Sequence, residues 1–192
     1  SRKGIILIKG KSGSGKSTLL EKIALLRKDK NFQYILNNQK FNNSELKKRA
    51  LWRSNFRLLE QDPFIEDDTI SSLVVPNYIR DKNHRDSEFN LRLREVGFSD
   101  QQISEFKNKK LSRAGFNVSG GERRRIAFLN LLKDISNDND HQIILLDEPT
   151  NGLDENSKLK FINYLSYLSK KYLFIIATHD SINIKELEKI EL

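Results

Sequence analysis

The feature that most constrains this chain is an apolar tetrapeptide, a glycine-rich loop and an amphipathic segment in immediate succession. Residues 5–8 read Ile-Ile-Leu-Ile, and such a short apolar, mostly β-branched run is typical of a strand buried on both faces of a parallel sheet. From Ser17 onward, Leu19, Ile23 and Leu26 fall near one face of a helical wheel, which predicts an amphipathic helix. This part of the chain is therefore expected to fold as strand, loop and helix.

The connecting loop, residues 10–17, reads GKSGSGKS and satisfies the phosphate-binding loop pattern. Glycines let successive backbone N–H groups turn inward on phosphate oxygens, and the following helix directs its positive end at them. In this pattern Lys16 reaches the β and γ phosphates and Ser17 ligates Mg²⁺. An ordinary glycine turn is the weaker alternative, because the full pattern stands between a buried strand and a helix. The predicted nucleotide contacts are Gly10, Lys11, Ser12, Gly13, Ser14, Gly15, Lys16, Ser17 and Thr18.

Three further segments have the length of buried strands, and all their residues except Arg57 are apolar. They occupy residues 56–59, 143–146 and 174–177. Strands that alternate with helical segments favour an α/β fold, with a mostly parallel sheet flanked by helices.

The section between residues 63 and 117 differs, because it contains polar helical segments and no convincing buried strand. This pattern predicts a helical subdomain inserted into the sheet domain. A chain of 192 residues is long enough for one well-packed core but hardly for two independent domains. We therefore expect one domain, with a core formed by residues 1–62 and 119–192 and an insertion formed by residues 63–118.

Two carboxylates follow the predicted strand at residues 143–146. Asp147 is placed to hold Mg²⁺ through water, and Glu148 is placed to polarise an attacking water, the two roles that phosphoryl transfer to water requires. An acidic pair after an apolar strand is most often a simple strand end. Here the sequence Pro-Thr-Asn-Gly-Leu-Asp follows at residues 149–154, and the longer pattern favours the catalytic interpretation.

A second anion site is predicted at the sequence Ser-Gly-Gly-Glu, residues 119–122. Ser119 and Glu122 have the spacing of a capping box, which predicts the start of a helix. A serine and two glycines at a helix N-terminus can also cap a γ-phosphate. Both interpretations can hold together.

Taken in order, these motifs resemble those of the ABC (ATP-binding cassette) ATPases, P-loop NTPases with a RecA-like core. The matching positions are a Walker A loop at residues 10–17, a Q-loop at Gln61, a signature at Ser119, Gly120 and Gly121, a Walker B strand ending in Asp147 and Glu148, a D-loop at Leu153 and Asp154, and a switch histidine at His179. The resemblance covers nearly the whole chain, and the order is right throughout.

The resemblance implies a mechanism. In the family two cassettes pack head to tail, so that each ATP lies between one Walker A loop and the partner's signature. Gln61 is implied to sense Mg²⁺ and water and to couple to a transmembrane partner, and His179 to contact the γ-phosphate. The implied catalytic residues are Glu148, His179, Gln61 and Lys16, the implied Mg²⁺ ligands are Ser17, Gln61 and Asp147, and the further nucleotide contacts are Ser119, Gly120, Gly121 and Asp154.

The sequence departs from the family pattern in three places. Glu122 stands where the signature usually has Gln, and Arg124 where a second Gln is common. The family also carries an aromatic residue that stacks on adenine, on an antiparallel strand upstream of Walker A, and this chain begins too close to the loop to include it. We expect these antiparallel strands to be largely missing, with Phe32, Tyr34 and Phe41 as the first candidates to hold the base.

The net charge of +8 raises the question of nucleic-acid binding. The tightest basic runs, residues 47–49 and 123–125, are three residues long, shorter than the blocks of about five that usually mark such a surface. We therefore expect these runs to lie on a solvated face. The apolar stretches are also far short of the roughly 18 residues that span a bilayer.

The preferred function is the ATP-binding and ATP-hydrolysing subunit of an ABC transporter, most like the subgroup for lipoprotein release, macrolide and bacteriocin export. Its expected partners are a second ABC ATPase domain and an integral membrane permease, without nucleic acid, and its expected place is the cytoplasm, peripheral on the inner face of the cell membrane. The alternative is a soluble ABC ATPase that acts on nucleic acid or ribosomes. A binding module without turnover is disfavoured, because Lys16, Asp147, Glu148 and His179 are all present.

Overall fold

A computed structural model describes residues 3–27, 29, 32–36, 39–41, 45–133, 135, 142–180 and 187–191. The strands are β1 (Gly4–Lys9), β2 (Tyr34–Leu36), β3 (Gln39–Phe41), β4 (Phe56–Leu59), β5 (Ile143–Asp147), β6 (Leu173–Thr178) and β7 (Leu187–Glu191). The helices are α1 (Lys16–Ile23), α2 (Leu46–Arg53), α3 (Ile70–Val74), α4 (Lys82–Glu95), α5 (Asp100–Phe106), α6 (Gly120–Lys133) and α7 (Glu155–Leu168).

Five strands form one parallel sheet in the order β4-β5-β6-β1-β7. The four predicted strands are confirmed and make up its first four positions. In the register, Ala177 of β6 lies opposite both Ile8 of β1 and Asp147 of β5. The carboxyl ends of β1, β5 and β6 therefore meet at one edge of the sheet, where the chain places its predicted catalytic groups.

Three strands were not predicted from the sequence. β2 and β3 form a separate antiparallel pair of three residues each, and β7 reads Leu-Glu-Lys-Ile-Glu. β2 and β3 are short and β7 is highly charged, so they lack the four-residue, largely apolar segment that identified the others. They form because β3 pairs with β2 and β7 pairs with β1.

The chain between β4 and α6 is helical, as predicted, and its residues 63–118 contain only an isolated bridge between Thr69 and Lys110 in addition to the helices. Side-chain caps begin these helices at Thr69, Asp81 and Ser99. One buried cluster runs from Phe98 of this section to Phe174 of β6. The helical section thus packs on the same core as the sheet, and its boundaries at residues 63 and 118 stay a prediction.

The aromatic residues near α2 form a cluster of their own. Tyr34 and Phe41 are buried beside Trp52, with ring centroids 5.5 to 5.6 Å apart. The Tyr34 hydroxyl donates to the carbonyl of Lys22 at 2.8 Å, and the Trp52 indole N–H donates to that of Ile23 at 2.7 Å. These rings anchor the β2–β3 hairpin to the end of α1, so Tyr34 and Phe41 are packing residues.

The expectation of a solvated face is wrong for the basic run at residues 123–125. Arg125 is buried, with its guanidinium 3.8 Å from the ring centroid of Phe98. Arg123 is half-buried and pairs with the carboxylate of Asp62. Arg124 is half-buried as well and bonds to two backbone carbonyls. Three consecutive arginines here serve as internal links, because a guanidinium can satisfy carbonyls, a carboxylate or an aromatic face.

Among the described residues, no helix combines the length and the apolar character needed to cross a membrane.

Candidate functional site

The glycine-rich loop connects β1 to α1 and closes around its own lysine. Gly13 and Gly15 have φ values of 80° and 94°, a left-handed conformation that glycine adopts at little cost. Lys16 is buried, and its ammonium group donates to the carbonyls of Gly10 at 2.9 Å and Lys11 at 3.1 Å. The lysine is thus held inside the loop, at the N-terminus of α1, where backbone N–H groups and the helix dipole favour an anion.

Glu148 is the centre of the charged cluster at the sheet edge. It follows β5 directly, and its backbone N–H donates to the carbonyl of Ala177 on β6 at 2.8 Å. One carboxylate oxygen lies 3.7 Å from the Lys16 ammonium, and the other lies 2.9 Å from Nδ1 of His179. Glu148 also has a φ of 46°, a conformation that costs a non-glycine residue energy and that clusters at functional sites.

Asp147, the last residue of β5, has an unusual environment for a carboxylate. It is buried, and its Oδ1 has no hydrogen-bond partner among the described residues. Burial raises the pKa of Asp147 above its usual value, although a hydrogen bond with Ser17 acts in the opposite direction. A buried acceptor without a partner, beside a hydroxyl, fits a hard cation that binds oxygen ligands.

The described residues contain no group of three or more His, Asp or Glu side chains that could hold a metal ion by themselves. Mg²⁺ is usually bound through one or two protein oxygens and completes its shell with phosphates and water. Ser17, Asp147 and Gln61 all line one small cavity of about 270 Å³. These are the three residues predicted as metal ligands.

The main cavity at this edge has a volume of about 470 Å³, within the range of small-molecule sites. It is lined by Ser12, Gly13, Gly15, Lys16, Ser17, Thr18, Gln61, Glu148, Asn151 and His179. The fold thus brings most of the predicted loop residues and all four predicted catalytic residues to one cavity. Asn151 was not predicted, and its only signal in the sequence was its position within the segment at residues 149–154.

The signature residues lie elsewhere. Ser119 and Gly120 are exposed at the start of α6, and neither they nor Gly121 line the main cavity. The predicted capping box is present: Ser119 N–H donates to the Glu122 carboxylate at 2.8 Å, and Glu122 N–H donates to the Ser119 hydroxyl at 3.2 Å. The chain therefore presents a capped, exposed helix N-terminus that does not meet its own cavity.

Asp154 also lies outside the lining of the cavity. It caps α7, accepting from the Ser157 backbone N–H at 3.0 Å and from its hydroxyl at 2.6 Å. The hydrogen bond from the Ser157 side chain lowers the pKa of Asp154. The structure gives Asp154 a helix-capping role, and its contact with nucleotide stays a prediction.

Asp180 anchors the segment that carries His179. Its carboxylate accepts from the Thr150 hydroxyl at 2.7 Å and pairs with the Lys158 ammonium at 2.9 Å. Partial burial opposes its charge, but the bonds from Lys158 and Thr150 hold the pKa of Asp180 below its usual value. Sequence reasoning missed this residue because the two side chains that contact its carboxylate, Thr150 and Lys158, are distant in the chain.

Comparison with known proteins agrees with this geometry. The family model described as "ABC transporter" matches residues 1–151. The chain is 29% identical over 184 residues to the lipoprotein-releasing system ATP-binding protein LolD of Buchnera aphidicola, covering 93% of this chain and 75% of that protein. It is 30% identical over 191 residues to LolD of Rickettsia prowazekii, covering 97% and 79%.

Among solved structures, the fold resembles a dimeric bacterial ABC transporter cassette, with a TM-score of 0.67 and 25% identity over 94% of this chain and 76% of that one. It also resembles a dimeric ATP-binding cassette in a post-hydrolysis state bound to ADP and Pi, with a TM-score of 0.66 and 24% identity over the same shares.

Proposed function

The chain belongs to the ABC transporter family and is the ATP-hydrolysing subunit of such a transporter. We propose that two copies of it enclose two ATP molecules and drive a membrane permease. The observation that carries this proposal is the convergence of Lys16, Glu148 and His179 on one cavity at the end of the phosphate-binding loop. Lys16 supplies a cation that binds phosphate, Glu148 supplies a base that activates water, and His179 supplies a hydrogen-bond donor next to Glu148.

Each residue then has a chemical role. Lys16 exchanges its bonds to the two loop carbonyls for bonds to the β and γ phosphates when ATP enters. The Glu148 carboxylate accepts a proton from the water that attacks the γ-phosphorus. His179 lies with Nδ1 2.9 Å from the Glu148 carboxylate, and its exposed imidazole is the group that would contact the γ-phosphate.

Bound Mg²⁺ would neutralise charge on the β and γ phosphates, and Ser17, Asp147 and Gln61 are the residues that would hold it. The orphaned oxygen of Asp147 and the shared cavity of the three residues support this assignment.

The other half of each ATP site comes from a second copy. Ser119, Gly120 and Gly121 lie at the N-terminus of the 14-residue helix α6 and do not line the cavity of their own chain, and Ser119 and Gly120 are exposed. The start of a helix favours an anion through its backbone N–H groups and the helix dipole. We therefore assign these residues to the γ-phosphate held by the partner copy, in a head-to-tail dimer.

The same proposal places the protein at the inner face of the cell membrane, attached to a permease that works in export. The LolD relatives belong to a lipoprotein-releasing system, which supports this choice. The Gln61 loop supports it as well, because Phe64 is 77% exposed there and lines a groove with Pro63 and Leu131. An exposed aromatic beside a groove suits a protein partner.

The test is the Glu148→Gln variant, which removes the base but keeps the shape of the side chain. We expect Mg·ATP binding to persist, phosphate release to slow by about 10²- to 10⁴-fold, and a stable ATP-bound dimer to accumulate in gel filtration. Glu105→Gln is the matched control, because Glu105 is exposed on α5 and its variant is expected to behave as wild type.

Phosphate release at the wild-type rate by Glu148→Gln would overturn the role of this base. Tight, ATP-dependent and salt-sensitive binding of nucleic acid in a filter-binding titration would instead favour the soluble ATPase alternative.

A further inference from the structure

Arg124 makes two contacts whose role none of the assigned motifs explains. Its side chain extends from α6, and Nε donates to the backbone carbonyl of Gln61 at 2.7 Å. Nη1 of the same guanidinium donates to the backbone carbonyl of Asn151 at 2.6 Å. Both distances are short for N–H···O bonds, as is usual when the donor carries a charge.

The two acceptors belong to different loops of the main cavity. Gln61 follows β4 and Asn151 follows β5, and both residues line the cavity. The neighbouring Arg123 pairs with Asp62, so the same helix holds two consecutive residues of the first loop. α6 is also the helix whose N-terminus carries Ser119 and is proposed to meet the ATP of the other copy.

We infer that Arg124 is a positioning residue that couples the two ATP sites of the dimer. The inference rests on the proposed dimer function. When ATP in the partner's cavity displaces α6, the Arg124 guanidinium moves with the helix. Its two hydrogen bonds then shift the Gln61 and Asn151 loops in the cavity of the same chain as Arg124. Such coupling is reciprocal, so occupation of either site favours occupation of the other.

The chemistry of the side chain explains why arginine suits this position. The guanidinium is planar and has diverging donors, so Nε and Nη1 reach two carbonyls at once in a fixed geometry. Lysine carries a compact charge at the end of a flexible stem, and glutamine offers a single shorter amide.

The experiment compares wild type with Arg124→Gln and Arg124→Lys. Arg57→Gln serves as the control, because Arg57 is exposed on β4. Three quantities are measured: ADP affinity by calorimetry, which reports the cavity of a single copy; kcat; and the Hill coefficient of steady-state ATP hydrolysis. Thermal melts check that each variant is folded, and Arg124→Gln introduces the residue common at this position in the family.

We expect ADP affinity to change by less than about twofold in both variants, since the cavity side chains are intact. Loss of two hydrogen bonds from a charged donor is expected to lower kcat by about tenfold and to bring the Hill coefficient close to one. Arg124→Lys is expected to lose kcat and cooperativity as Arg124→Gln does, although lysine keeps the positive charge. Free guanidinium, added at millimolar concentration to Arg124→Ala, is expected to restore part of kcat.

Three results would overturn the inference. Unchanged kcat and Hill coefficient in both variants would remove the coupling role and leave the proposed function intact. A large loss of ADP affinity would mean that Arg124 shapes its own cavity instead. Absence of an ATP-dependent dimer in the wild type would refute the proposed function itself, and the inference with it.

Discussion

Replacing Arg125 by lysine is expected to destabilise the fold more than replacing it by methionine. The Arg125 guanidinium lies 3.8 Å from the ring centroid of Phe98 and donates to the carbonyls of Gly121 and Val96 at 3.3 and 3.4 Å. Burial lowers the pKa of this guanidinium, although the carboxylates of Glu122 and Asp154 act in the opposite direction. The charge is therefore tolerated because the planar group has an aromatic face and two acceptors.

The magnitude follows from these contacts. A desolvated cation–π contact contributes about 2 kcal/mol, and the two long hydrogen bonds contribute at the low end of about 0.5–1.5 kcal/mol each. Lysine keeps the buried charge but cannot stack as a plane, and its three donors share one nitrogen, so they do not reproduce the fixed spacing of Nε and Nη1. We expect Arg125→Lys to lower the free energy of unfolding by about 2–3 kcal/mol, which lowers Tm by roughly 4–12 °C for a domain of this size.

Methionine removes the charge and keeps an aliphatic stem over the ring of Phe98, and replacing a buried ion by an apolar group is often nearly neutral. Urea unfolding monitored by circular dichroism gives the free energies by linear extrapolation. Arg57→Lys, at an exposed position on β4, is the control and is expected to match wild type. If Arg125→Lys were as stable as wild type, or more stable than Arg125→Met, the reasoning from the planar buried cation would be refuted.

Three further predictions concern other contacts. Gly97→Ala is expected to cost about 2–4 kcal/mol in urea unfolding, because its φ is +92° and a Cβ would lie 2.8 Å from Cα of Ser157; a cost below 1 kcal/mol, on the same scale, would contradict the packing argument. Asp180→Asn is expected to lower stability at neutral pH. Since the bonds from Lys158 and Thr150 lower the folded-state pKa of Asp180, its contribution is present above the ordinary pKa of about 3.9. That contribution disappears as the pH falls through the folded-state value, and an unchanged gap between wild type and variant in acid would refute this. Finally, no Phe, Tyr or Trp ring of the described part of the chain lines the main cavity. Calorimetry is therefore expected to give similar affinities for ATP and GTP, without the roughly 1–3 kcal/mol of base stacking; a strong preference for ATP would mean that another group holds the base.

The sequence by itself determined the features that depend on neighbours in the chain. The β-branched run at residues 5–8 and the glycines after it specify strand, loop and helix, because burial pattern and backbone freedom are local properties. Ser119 and Glu122 are three residues apart, and their capping box formed as predicted. The order of the motifs was enough to identify the family, since each motif is a short segment with its own chemistry.

Tertiary structure decided which of these segments meet. Glu148 reaches His179 because β5 and β6 are parallel neighbours in a fixed register, and no periodicity in the sequence encodes that pairing. The fold also decided that Arg125 is buried, although the short basic run predicted a solvent-exposed side chain. It decided that Tyr34 packs against Trp52, although the sequence left Tyr34 as a candidate to hold the adenine base. Contacts between residues far apart in the chain depend on how helices and strands pack. The local pattern of apolar and polar residues does not specify that packing. For the same reason, only the fold could separate the exposed start of α6 from the cavity of its own chain.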